Sequence, residues 1–192
     1  MPKGMGERST GGEMEGSSVH FSKGQILIHP QHGPATVTKV TTRTIHGERR
    51  HYLILSVHTD GMSVSLPVDA TEEIGVRAVM DGARAREVFV RLADEGEPFD
   101  KVWSRRFKHN TERLRSGDLL MVAGLIRDVT RRDDEVRVSY GEANLLREAL
   151  GLLTAELAIA LRVTSERAVA LVESAVRERV VPELSEDLAL AS

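Results

Sequence analysis

The sequence predicts an α+β protein, with a small N-terminal β-barrel followed by a C-terminal all-α bundle of four to five helices. Three observations predict it. Short β-branched runs separated by Gly, Pro and Asp fill residues 21–70. From Asp81 onward apolar residues recur at helical spacing. A capping box, Ser139 with Glu142, opens the longest helical stretch.

Each element follows in order. Residues 1–20 are rich in Gly, Ser and Glu and nearly free of bulky apolar groups, so a disordered tail is expected. Residues 25–29 read as a strand closed by a turn from Pro30 to Gly33 and Pro34. Residues 35–45 are dominated by β-branched side chains, which suit a pleated surface. His46, Gly47 and Glu48 turn the chain, and residues 52–57 run back. Asp60-Gly61 predicts a two-residue type I′ hairpin, because both central positions of that turn need positive φ. After it Met62, Val64 and Leu66 fall on one face, and Ser63 and Ser65 on the other. Residues 71–80 read as a linker. The helical domain then covers 81–182, with helices over 82–93, 99–115 and 118–132, a fourth from the capping box to about 161, and a fifth from Thr164 to near Pro182. The third is expected to stop at Asp133-Asp134-Glu135, and 183–192 form a second disordered tail.

Composition narrows the function. Of 192 residues 41% are hydrophobic and 29% charged, ordinary for a soluble globular protein. No apolar run approaches the ~20 residues of a membrane span, and the N-terminal stretch lacks the apolar core of a secretory signal. Cysteine is absent, which removes disulfides, thiolate metal sites and thiol catalysis, and fits a cytoplasmic location. Phosphate-binding glycine loops, HExxH and GxSxG are missing too, so no catalytic residue is assigned and no enzyme is expected. His29 and His32 stand at a spacing that could face a metal, but no further ligand is spaced to complete a shell. No metal or other cofactor is expected.

The net charge of −3 hides an asymmetry. Residues 101–132 hold nine Lys and Arg against three acids, a net +6, and residues 133–192 hold six Arg against twelve acids, a net −6. Such a local field selects where a polyanion can lie, although two solvated helix faces of opposite sign would read the same way. The basic stretch contains the only Trp. On a helix Trp103, Phe107, Thr111 and Leu114 share one stripe. Spacing alone leaves two readings: Trp103 anchors the core, or the stripe reaches solvent and the indole meets bases while Arg105, Arg106 and Lys108 hold phosphates.

The same residues carry a resemblance. FSKG at 21–24, HPQHG at 29–33, TRTIHGE at 42–48, YLIL at 52–55, LP at 66–67, WSRR at 103–106 and RDVTRRD at 127–133 occur in order and at compatible spacing. With these motifs the chain resembles, from about Phe21 to Val180, the CarD/CdnL family of bacterial RNA polymerase-binding transcription factors. The barrel alone also resembles the polymerase-interacting module of transcription-repair coupling factors, whose helicase motors have no counterpart here. The resemblance implies a Tudor-like barrel that binds the protrusion of the polymerase β subunit. It implies a helical domain at the upstream edge of the transcription bubble and an open promoter complex stabilised by the motif Trp. The holoenzyme implied is that of the housekeeping sigma factor, and a monomer is expected.

Residue by residue, Arg43, Thr44 and Ile45 match the polymerase-contacting hairpin. Ser65 stands in the other contacting strand where relatives carry Arg, so part of that contact is expected to be weaker or rearranged. Trp103, Arg105, Arg106 and Lys108 match the DNA-facing segment. Ala143 and Asn144 occupy positions that are basic in relatives, and Thr130 replaces an aromatic residue. These losses leave open an alternative: a polymerase-binding interaction module without functional DNA contact.

Overall fold

In the computed structural model, residues 21–45, 47–96 and 98–184 are described. The expected tail at 1–20, most of that at 183–192, and His46 of the expected turn lie outside them. Five antiparallel strands form one curled sheet: β1 (Ile26–His29), β2 (Gly33–Ile45), β3 (Glu48–Val57), β4 (Ser63–Pro67) and β5 (Arg77–Ala78), in the order β4-β3-β2-β1-β5. Strand alternation explains its core. On β3, Leu53, Leu55 and Val57 point inward and meet Leu27, Val37 and Leu66, while Tyr52 and Ile54 stay half-buried on the other face. Between Val37 and Lys39 the register shifts, and the Thr38 hydroxyl donates to the Ile54 carbonyl at 2.9 Å. This bulge bends the long β2–β3 ribbon.

Two sequence expectations are corrected here. Residues 71–80 are no linker: a short helix, α1 (Thr71–Ile74), is followed by β5, which pairs with β1 through Leu27↔Ala78 and Ile28↔Arg77. A two-residue strand leaves no periodic signal, which is why the sequence does not reveal it. The Asp60-Gly61 turn is wider than type I′. Val57 N donates to Met62 O at 2.9 Å and Gly61 N to Val57 O at 3.0 Å. Gly61 has φ of +70°, whereas Asp60 uses its carboxylate to accept from Met62 N at 2.9 Å. That side-chain bond replaces the second positive φ the tight turn would need.

The bundle comprises α2 (Gly82–Ala93), α3 (Trp103–Arg115), α4 (Leu119–Val136), α5 (Tyr140–Ala160) and α6 (Ser165–Arg177). Asp81, Asp118, Ser139 and Thr164 each accept from backbone N–H groups of the first turn they precede. Phe89, Leu92, Leu125, Ile126, Leu153 and Val172 are buried at the centre. The third helix does not stop at its acidic triplet. Asp134 pairs with Arg177 of α6 at 3.1 Å, Asp133 accepts from Val138 N at 2.9 Å, and Arg137, with φ of +56°, ends the helix.

Sheet and bundle are joined by one buried carboxylate. Glu156 of α5, 2% exposed, accepts both Arg77 guanidinium nitrogens of β5 at 2.5 and 2.8 Å and Met80 N at 2.9 Å. At Gly33 a Cβ would stand only 3.4 Å from Leu152 of α5, so β2 lies close against that helix.

Candidate functional site

The first turn of α3 exposes the sole Trp of the sequence. Helix α3 starts four residues later than predicted. Asp100 accepts from Val102 N at 2.8 Å, and the Arg106 guanidinium donates to the carbonyls of Asp100 and Lys101 at 2.8 and 3.1 Å. Those bonds hold residues 100–102 outside the helix, and its cap position, Val102, supplies no side-chain acceptor. The stripe then sinks with each turn: Trp103 is 49% exposed, Phe107 and Thr111 are half-buried, and Leu114 is buried. Trp103 itself is therefore exposed rather than buried in the core.

The indole is held in place. It stacks on Phe107 with centroids 5.4 Å apart and planes 21° from parallel. Its Nε1–H donates to Ser139 Oγ at 2.9 Å. Ser139 Oγ also accepts from Glu142 N at 3.2 Å and donates to Glu142 Oε2 at 2.9 Å, while Glu142 Oε1 accepts from Arg106 Nε at 3.1 Å. Burial alone would raise the Glu142 pKa, but the Ser139 hydroxyl, the Ser139 N–H and the Arg106 guanidinium outweigh it and keep the carboxyl below its ordinary 4.5. Phe107 in turn sits so close to Gly141 that a Cβ there would meet its ring at 2.9 Å. The capping box at the start of α5 therefore serves twice, closing a helix and aiming an indole.

Eight of the nine cations of residues 101–132 divide sharply. Arg106, which matches the DNA-facing segment, is only 10% exposed in its side chain and is engaged by Glu142 and two carbonyls, so it braces Trp103 from within. Arg113 pairs with Asp128 at 2.8 Å. Arg127, 1% exposed, is clamped by Asp94 and Asp128 and donates to Arg91 O. Arg131 donates to carbonyls at the end of α2, including Leu92 and Ala93 at 3.3 Å, and to Val176 O at 3.0 Å. These four are scaffold. Lys101, Arg105, Lys108 and Arg115 face solvent, and the loose 3.9 Å pairs of Arg105 with Asp100 and Lys108 with Glu112 leave both cations available. Trp103, Arg105 and Lys108 are thus all exposed within the first two turns of α3, with both cations off the Trp103 stripe.

On the sheet, register decides which residues share a face. Arg43 lies opposite Arg50, Thr44 opposite Arg49 and Ile45 opposite Glu48 at the far end of the β2–β3 ribbon. Two-residue alternation sets Lys39, Thr41 and Arg43 on the face that carries Ile54, Tyr52 and Arg50, and Ser65 joins it opposite Ile54. Arg43 and Ser65 therefore belong to one surface, whereas Thr44 and Arg49 lie on the reverse. The Arg43 guanidinium covers the Tyr52 ring at 5.1 Å from its centroid. Lys39, Arg49 and Arg50 were not singled out from the sequence, although alternation from Arg43 would have found Lys39. His29 and His32 have rings 4.6 Å apart, and burial, then the neighbouring His32, lowers the His29 pKa.

Comparison with known families assigns both halves. Residues 21–80 match the CarD-like/TRCF RID domain, and residues 87–173 match the CarD C-terminal domain. The chain belongs to the CarD/CdnL family. The first CarD match runs to Met80, so it takes in β5, in agreement with the sheet. Trp103, Arg105, Lys108 and the Ser139–Glu142 box all fall within the CarD C-terminal match. The chain is also similar to a Bacillus subtilis (strain 168) protein named "Putative transcription factor YdeB", at 23% identity over 149 residues, covering 77% of this chain and 96% of that one.

Proposed function

We propose that this CarD-family protein is a transcription regulator that binds RNA polymerase through its sheet and stabilises the open promoter complex through Trp103. The observation that carries the reading is the half-exposed indole, fixed by Ser139 and Phe107, with the exposed Arg105 and Lys108 on the same two helical turns but off its stripe. An exposed aromatic normally costs solvation and is mobile. Here its only polar atom is bonded inward, so its flat face is offered to a partner at no further ordering cost. Wedged at the upstream edge of the bubble, it would oppose re-annealing, with Arg105 and Lys108 on backbone phosphates.

The partner for the sheet is the β subunit of the housekeeping holoenzyme. Arg43 and Arg50 lie directly opposite each other, an unfavourable like-charge pairing relieved in part by Tyr52 and Glu48. An acidic surface would remove that repulsion. Tethering through the sheet raises the effective concentration of the helical domain near DNA, so two exposed cations suffice despite the overall charge of −3. No chemistry is assigned; the protein acts by binding, as a monomer in the cytoplasm. The internal use of four arginines favours a second reading, in which the sheet binds polymerase and the helices make no functional DNA contact.

Calorimetric titration with the isolated β subunit, followed by footprinting of a promoter complex, tests the proposal. Binding together with protection at the upstream bubble edge is expected. Binding without protection supports the second reading, and failure to bind removes both.

A further inference from the structure

A cavity of about 350 Å³ opens between the α2–α3 connection, α3, α4 and the start of α5. This volume lies within the range of small-molecule sites. Phe99, His109, Asn110, Val129 and Arg132 form much of its wall. Three carboxylates also line it, and each is already engaged. Asp128 holds Arg113 and Arg127, Glu142 holds Arg106 and Ser139, and Asp100 caps Val102 N. Of the cations on the wall Arg106 and Arg113 are engaged, Arg105 is loosely paired with Asp100 at 3.9 Å, and Arg132 is left over. Among the described residues it has no ion pair, its Nε is buried without a hydrogen bond, and its guanidinium lies 5.6 Å from the centroid of Phe99. A buried donor lacking an acceptor carries an uncompensated desolvation cost, and an anion on the terminal nitrogens of the same guanidinium would offset it electrostatically. Beside it Asn110 is buried, and its amide oxygen accepts from Arg113 at 3.4 Å, which leaves its NH₂ group for a further acceptor.

We propose that this cavity binds a small free molecule bearing phosphate, with the phosphate on Arg132, His109 and Asn110 and its apolar part against Phe99 and Val129. Phosphate fits better than carboxylate because donors come from two helices, and its several oxygens accept in more directions while pairing with a guanidinium fork. The site does not depend on whether Trp103 touches DNA. It does share Arg106 and Glu142 with the network that holds the indole, so occupancy should be felt at Trp103.

The test is a calorimetric titration of inorganic pyrophosphate into the full chain, with emission from the single Trp recorded in parallel. A saturable one-to-one heat and a matching emission change are expected, both absent with chloride at equal ionic strength. Arg132→Gln should weaken binding at least about tenfold while melting near wild type. His109→Ala, at an exposed position, provides a second variant and should weaken binding severalfold without touching the fold. Absence of saturable heat in the wild type overturns the proposal, as does wild-type affinity in both variants. Displacement of pyrophosphate by duplex DNA, one for one, also overturns it, by assigning the phosphate to the DNA backbone.

Discussion

Trp103 Nε1–H donates to the hydroxyl of Ser139 at 2.9 Å, across 36 residues of chain. The bond ties the exposed start of α3 to the capped start of α5. Ser139→Ala is expected to remove both the cap and the indole's acceptor, costing about 1 kcal/mol of stability. Emission anisotropy of Trp103 should fall, and the variant should lose part of its effect on promoters with the Trp still present. Ser139→Thr should restore both. Unchanged anisotropy in Ser139→Ala would show that Phe107 stacking alone orients the ring.

Scaffold and surface cations should separate cleanly on substitution. Arg127→Met takes the buried guanidinium from Asp94 and Asp128, which keep Arg91 and Arg113, and is expected to cost about 1–3 kcal/mol in denaturant unfolding. Arg105→Ala and Lys108→Ala should change stability by no more than about 0.5 kcal/mol. Each should instead make the dependence of log K on log salt for duplex binding shallower by about one unit. Equal destabilisation by all three would contradict the division.

This division marks where the sequence stopped being legible. Alternation, helical period and the Ser139 box were enough to place four of the strands and the five main helices, whereas spacing left the exposure of Trp103 open. A charge count, however, cannot tell a solvated Arg from one folded onto carbonyls, so RDVTRRD at 127–133 reads as a basic patch while Arg127 and Arg131 are internal. Their partners, Asp94 and the carbonyls ending α2, are more than thirty residues away, beyond any local pattern. β5 and the Glu156 latch escaped for the same reason, since both exist only once sheet and bundle meet. The overrun of α4 through its acidic triplet depends on Arg177, equally remote.

Acid should loosen the Trp103 bracket in a defined window. The Glu142 pKa is lowered on folding, so its ionised form contributes stability that is fully present above the ordinary carboxyl value of 4.5. That contribution is lost as pH falls through the lower folded value. Trp103 emission is therefore expected to be flat above 4.5 and to change only below it, ahead of global unfolding. In Glu142→Gln the step should vanish. A transition above 4.5 in the wild type would contradict the sign of the shift.

Charge reversal on the sheet face tests the polymerase contact. Arg43 is exposed, with its guanidinium over the Tyr52 ring, so Arg43→Glu should leave the fold intact. Binding to the β subunit should weaken by several kcal/mol, on the order expected for opposing a charge at a small interface. Ser65→Arg on the same face should act in the opposite direction. Wild-type affinity in a folded Arg43→Glu variant would move the contact elsewhere.

The central claim rests on Trp103, and decay of a preformed open promoter complex measures it most directly. Wild-type protein should prolong the complex by a factor corresponding to about 1–3 kcal/mol of coupling. Trp103→Ala should still bind polymerase and melt within a few degrees of wild type, because the ring is half-exposed and not part of the buried core, where truncation costs about 3–5 kcal/mol. With that variant the complex should decay nearly as fast as without any factor. Full prolongation by a stable, polymerase-bound Trp103→Ala protein would contradict the account.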